Sequence, residues 1–178
     1  MAEIVVRLVR VDDAEVIARM WEALVSYHRE LDPDLPPAAP NGARRYARRI
    51  VDRLADPFTR ALIAEIDGQP VGYILGVVAD FTPEIFDQEP SGFLADIYVD
   101  EQHRRSGVGK ALVDQLAAWF VSRGLAYFEW HVAARNPAGV AFWQAVGGRS
   151  VMIRMRADLD SYDSERTPSD DPTTLSDQ

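Results

Sequence analysis

The chain has 178 residues, 47% of them hydrophobic and 26% charged, a balance that builds one globular domain and excludes a wholly disordered chain. The absence of cysteine excludes disulfides, thiolate metal centres and a cysteinyl nucleophile, and it suits a reducing cytoplasm. The formal net charge of −9 argues against a nucleic-acid footprint, and no metal-ligating cluster stands out.

The opening residues, MAEIVVRLVRVDD, are too charged for a signal peptide, and no run approaches the ~18 apolar residues that span a membrane. A strand is predicted over Ile4–Val9. Asp12 followed by Glu15 reads as a capping box for a helix whose apolar face is Val16, Met20, Leu24 and Tyr27. Four prolines make residues 32–42 a loop. Asn41 then caps a second helix with Tyr46, Ile50 and Leu54 on its apolar side. Ala61–Ile66 and Val71–Ala79 read as a hairpin closed by Asp67-Gly68. Residues 81–91 read as a loop, Phe93–Val99 as a strand, and Gly107–Arg123 as an amphipathic helix stopped by Gly124. Ala126–Ala133 is predicted as a strand, and Asn136-Pro137 opens a short helix ending at Val146. Val151–Leu159 is predicted as the last strand, whose Val151–Met155 part offers an edge for a homodimer.

The expected fold is α+β with α/β-type layers: one domain over residues 1–159, with a mixed central sheet flanked by helices on both faces. Residues 160–178 hold Asp160, Asp163, Glu165, Asp170, Asp171 and Asp177 against Arg166, a balance of −5 that leaves −4 for the body. This composition predicts an acidic disordered tail.

The most informative stretch is DIYVDEQHRRSGVGKALVDQL. A strand ends at Val99, and Arg104-Arg105-Ser106-Gly107-Val108-Gly109-Lys110 opens a helix. The first amides of a helix lack internal partners and carry the positive end of its dipole, which makes an anion site suited to phosphate or pyrophosphate. A Walker loop is excluded, since Arg104 stands where its first glycine belongs and Ala111 follows the lysine. A dinucleotide fingerprint is excluded by Leu112. The pattern that fits is Arg-x-x-Gly-x-Gly.

With this turn, and with Asn136 seven residues before Trp143 and followed by Gly147, the chain resembles the GNAT superfamily of acyl-CoA-dependent N-acetyltransferases over residues 3–158. The resemblance implies that acetyl-CoA is the co-substrate and that its pyrophosphate lies on the turn from Arg104 to Lys110. It implies that pantetheine pairs with the backbone of Ile97, Tyr98 and Val99, with a main-chain amide such as that of Val99 meeting the thioester carbonyl. Asn136 resembles the family asparagine that contacts the pantetheine arm. Trp143 stands where the family usually has a general-acid tyrosine and reads as a packing residue beside CoA.

Acyl transfer to an amine needs a base, because an alkylammonium with a pKa of ~10.4 has no free lone pair at neutrality. Alternation puts Glu129 and His131 on one face of their strand, with Phe128, Trp130 and Val132 on the other. His131 is a candidate base, because an imidazole can accept a proton near neutrality. Glu129 is a second candidate base. Asp96 is a third, resembling the aspartate of an Asp-x-Tyr/Phe-Val pattern in spermidine/spermine acetyltransferases, whose neighbouring glutamate is Ala95 here. The acceptor, a small-molecule or peptide amine, is expected between the first two helices and the 81–91 loop, with Tyr27, His28, Phe81, Glu84 and Phe86 as candidates. The alternative is a catalytically degenerate acyl-CoA-binding sensor, and a third reading is a nucleotide-phosphate domain using the same turn.

Overall fold

The computed structural model describes residues 3–79 and 90–159. Five strands form one sheet in chain order: β1 (Ile4–Leu8), β2 (Thr59–Ile66), β3 (Gln69–Ala79), β4 (Ser91–Val99) and β5 (Phe128–Trp130). The first four run antiparallel to their neighbours, while β5 lies parallel to β4. The sheet is therefore mixed, as expected. Both turn residues between β2 and β3 have positive φ, 51° at Asp67 and 74° at Gly68, the geometry of a tight hairpin turn matched to strand twist.

Helices cover both faces. The helices α1 (Ala14–Leu31) and α2 (Gly42–Val51) pack on one face, where Ile17, Met20, Ala47 and Ile50 meet Ala61, Ile63 and Tyr73. The helices α3 (Val108–Ser122) and α4 (Pro137–Ala145) pack on the other, where Leu112, Leu116, Phe120 and Trp143 meet Leu62, Ile74 and Leu94.

Local chemistry differs from the expectation at several points. The carboxylate that organises the start of α1 is Asp13, not Asp12: its Oδ2 accepts from the Arg10 amide at 2.7 Å. Arg7 on β1 donates to both oxygens of Asp13, at 2.7 and 2.9 Å, and also to Glu65 on β2. The guanidinium beside Asp13 holds that carboxyl below the usual range. Asn41 precedes α2 in a left-handed conformation, φ 57°, and its side chain caps nothing. The strand expected over Ala126–Ala133 shrinks to Phe128–Trp130.

The predicted last strand is absent. Val151–Leu159 pairs with no strand among the described residues, and Met152 and Met155 are 89% and 83% exposed. The segment is held instead through Arg156, whose Nη1 donates to the Asp34 carbonyl at 3.0 Å. The tail expected at 160–178 lies outside the described residues. Among the described residues no helix is long and apolar enough to cross a membrane, and no cluster of ligating side chains suits a metal ion.

Candidate active site

The site begins with a break in the strand ladder. Leu75 on β3 faces Asp96, yet its neighbour Gly76 faces Leu94, so Ala95 has no partner. This bulge resets the alternation of β4. Leu94, Ile97 and Val99 turn toward α3, while Asp96 and Tyr98 turn toward α1 and α2. Pairing with β5 also ends there: only Gly92, Phe93 and Leu94 have partners on it. From Ala95 to Val99 the outer edge of β4 has no strand beside it among the described residues.

The open edge carries peptide groups of known direction. The Asp100 amide donates to Val71 across the β3 side, at 2.9 Å. Successive amides along a strand point to opposite edges, so the Val99 amide and carbonyl look out from the open edge. The Val99 carbonyl accepts there from Arg104 Nε at 3.3 Å. The Arg104 guanidinium also sits over the Tyr27 ring, 4.7 Å from its centre, tying the end of α1 to the site.

The turn that follows has the predicted character. Arg105 and Gly107 have φ of 60° and 96°, a chain reversal that gathers successive amides on one side. Among the described residues, none of the amides from Arg105 to Lys110 donates a backbone hydrogen bond; Ala111, bonded to Gly107, is the first that does. Gly109 has a packing role. A Cβ there would stand 3.2 Å from the Phe142 ring, so the glycine lets α4 close on α3. Ser106 Oγ donates to the His103 carbonyl at 2.6 Å, and Lys110 pairs with Asp114 on the helix surface.

Asn136 is 8% exposed and acts as a helix cap, its Oδ1 accepting from the Gly139 amide at 2.9 Å. Trp143 is equally buried, its ring 4.4 Å from Trp130 and 4.9 Å from Phe142.

The three candidate bases share a face. Trp130 and Phe128 pack toward α3 and α4, which leaves Glu129 and His131 on the α1/α2 side. His131 lies just beyond β5, exposed, its ring 5.4 Å from Phe93. Glu129 is half-buried. Asp96 is half-buried as well, and its Oδ2 accepts from the Tyr46 hydroxyl at 2.6 Å. Burial pushes the Asp96 carboxyl up to about 6, against the Tyr46 hydrogen bond, which acts to lower it.

Of the acceptor-side candidates, Tyr27 and His28 lie on α1, and burial lowers the His28 imidazole. Phe81, Glu84 and Phe86 lie outside the described residues. Sequence reasoning missed the roles of Tyr46 and Tyr73. Tyr46 sits at an apolar position of its helix and reads as core; only its hydroxyl distinguishes it from phenylalanine.

Comparison with known proteins agrees with this geometry. The profile of the acetyltransferase (GNAT) family matches residues 17–147. The L-2,4-diaminobutyric acid acetyltransferase of Nocardia farcinica (strain IFM 10152) is 28% identical over 88 residues, 49% of this chain and 42% of that protein, so the likeness spans less than half of the relative. A mutant of the BH1408 protein from Bacillus halodurans superposes with a TM-score of 0.77 at 18% identity, covering 86% of this chain and 98% of that one. A predicted acetyltransferase of Clostridium acetobutylicum, solved with acetyl-CoA, gives 0.70 at 14% identity, covering 88% and 97%.

Proposed function

The chain belongs to the GNAT acetyltransferase family, and from that premise we propose that it moves an acetyl group from acetyl-CoA directly onto a primary amine of a small molecule or peptide. The observation that carries the reading is the open edge of β4 running into a turn of unbonded amides. A diphosphate suits those amides, backed by the N-terminal dipole of α3 and by Arg104, Arg105 and Lys110. The edge at Ile97, Tyr98 and Val99 suits an arm that carries amides of its own. Asn136 keeps its Nδ2 for that arm, because its Oδ1 is committed to the cap. Trp143 and Phe142 form an apolar wall behind it.

When bound, acetyl-CoA supplies a thioester carbonyl that a free amine attacks. The Val99 amide, pointing out from the open edge, is the donor for the oxygen that gains charge. Asp96, Glu129 and His131 face the side from which an amine approaches and are the candidates for removing its proton. The diaminobutyrate-acetylating relative and a cytoplasmic location both accord with a small amine acceptor.

Release of free thiol from acetyl-CoA is the test, with diamines, amino acids, an aminoglycoside and an alanine-initiated peptide as acceptors. Amine-dependent release is expected. Trp143, which has no acidic hydroxyl, favours a second reading as a sensor, and that reading predicts heat on titration with CoA but no thiol. No heat from CoA overturns both.

A homodimer is part of the same proposal. The bare Val151–Met155 run and the outer edge of β5 are both unpaired among the described residues, and edge pairing between two copies would cover them. Sedimentation equilibrium should show a dimer that Ile153→Lys dissociates.

A further inference from the structure

We propose that Tyr46 is a positioning residue that holds Asp96 as the base taking the proton from the acceptor's ammonium group. This rests on the acetyltransferase reading and selects one of its three candidate bases.

The case begins with placement. The Ala95 bulge puts Asp96 on the acceptor face, in the strand segment that carries the open edge. Strict alternation carried on from Leu94 would put residue 96 on the α3 side; the bulge sets Asp96 opposite Leu75 instead.

Next comes its company. Among the described residues no cation pairs with the Asp96 carboxylate. Its bonded partner is the Tyr46 hydroxyl, at 2.6 Å. The Tyr46 ring stacks on Trp21 of α1, centroids 5.0 Å apart and planes 18° off parallel, and meets the edge of Tyr73 at 6.4 Å. A phenol clamped on two sides holds its hydroxyl in one place, and so holds one carboxylate oxygen and leaves the other free. Tyr73 is fully buried, with its hydroxyl beside the same pair.

Every element packed here contributes to the surroundings of Asp96. Tyr46 comes from α2, Tyr73 from β3 and Tyr98 from β4 itself. From α1 comes Trp21, stacked on Tyr46; His28 lies nearer the end of the same helix beside Tyr27, its imidazole lowered by burial. Glu129 and His131 lie across the same face on the β5 side. Burial raises the phenols of Tyr46 and Tyr73 well above the ordinary range, so both remain protonated donors at neutrality. The carboxylate therefore faces hydroxyls rather than a guanidinium. It keeps enough basicity to accept a proton near neutrality, and Tyr46 favours the ionised form that a base requires.

The step balances simply. An N–H bond of the ammonium breaks and an O–H bond forms on the free oxygen of Asp96. The electron pair stays on nitrogen, which becomes the nucleophile, and Asp96 then releases its proton to solvent.

The test is the pH dependence of kcat/KM for thiol release, with a saturating primary amine from the panel. Wild type should lose activity as pH falls through about 6. Tyr46→Phe keeps the stacked ring but lacks the hydroxyl. Its acid limb should move to higher pH and its kcat should fall about tenfold, with the KM for acetyl-CoA unchanged. Asp96→Asn should lose ~10²–10⁴-fold in kcat and show no acid limb. CoA calorimetry on each variant confirms that the cofactor site still folds. An unmoved acid limb in Tyr46→Phe, or a retained one in Asp96→Asn, overturns the proposal while leaving the acetyltransferase reading intact. Absence of turnover with every amine overturns both.

Discussion

The two faces of the sheet are built from different materials. Toward α3 and α4 the contacts are aliphatic and aromatic: Phe120 meets Phe128 at 5.5 Å, Phe128 meets Trp130, and Trp130 meets Trp143. Toward α1 and α2 the apolar layer is interrupted by Asp96, Tyr46 and Tyr73, with the Tyr46 hydroxyl donating to the carboxylate at 2.6 Å. The first face has little to do but exclude water. The second accepts a half-buried carboxylate with no cation beside it among the described residues, which costs stability unless some function retains it.

The largest effect on this contrast should come from the dry face. Phe120→Ala removes a ring that is 2% exposed and should destabilise by about 3–5 kcal/mol, read from the urea midpoint. Asp96→Asn should act in the opposite sense. The folded carboxyl is pushed up to about 6, above its unfolded ~3.9, so the folded state holds this proton more tightly. Its contribution to stability is complete below ~4 and is lost as pH rises through about 6. At pH 7 the variant should therefore be more stable than wild type, by about 1–3 kcal/mol, while losing turnover. Equal or lower stability would mean that the two faces do not differ as described.

Smaller effects sharpen the comparison at its margins. Gly107→Ala forces a side chain to φ 96° and should cost about 1–3 kcal/mol, with weaker CoA affinity by calorimetry. His131→Ala should change stability and the kcat barrier by no more than about 0.5 kcal/mol, because the ring is exposed and packs edge-on to Phe93 at 5.4 Å. Loss of the acid limb in His131→Ala instead would transfer the base role away from Asp96.

Much of this architecture is legible in the residues alone. The periodicity of the Val108–Ser122 helix, the Asp67-Gly68 hairpin and the Arg-x-x-Gly-x-Gly turn all depend on neighbours in sequence, and the structure agrees with each. Asp96 is singled out as a candidate only by its resemblance to an Asp-x-Tyr/Phe-Val pattern. What escaped depends on distant partners. Asp13 is chosen over Asp12 by Arg7 on another element. Val151–Leu159 alternates like a strand, but alternation does not supply an edge to pair with. Tyr46 and Asp96 are separated by 50 positions, and only the packing of α2 against the sheet joins them.

Ala95 lies exposed on β4, a small side chain with no partner across the ladder. Yet it absorbs a change of phase along the strand: counted straight on from Leu94, residue 96 would share its oily side, and the doubled pair opposite Leu75 turns the acid the other way. A relative that paired this strand without the doubling would carry the same letters and present an inert surface, so kinship in reactivity should be sought in the pairing of this strand as much as in its residues.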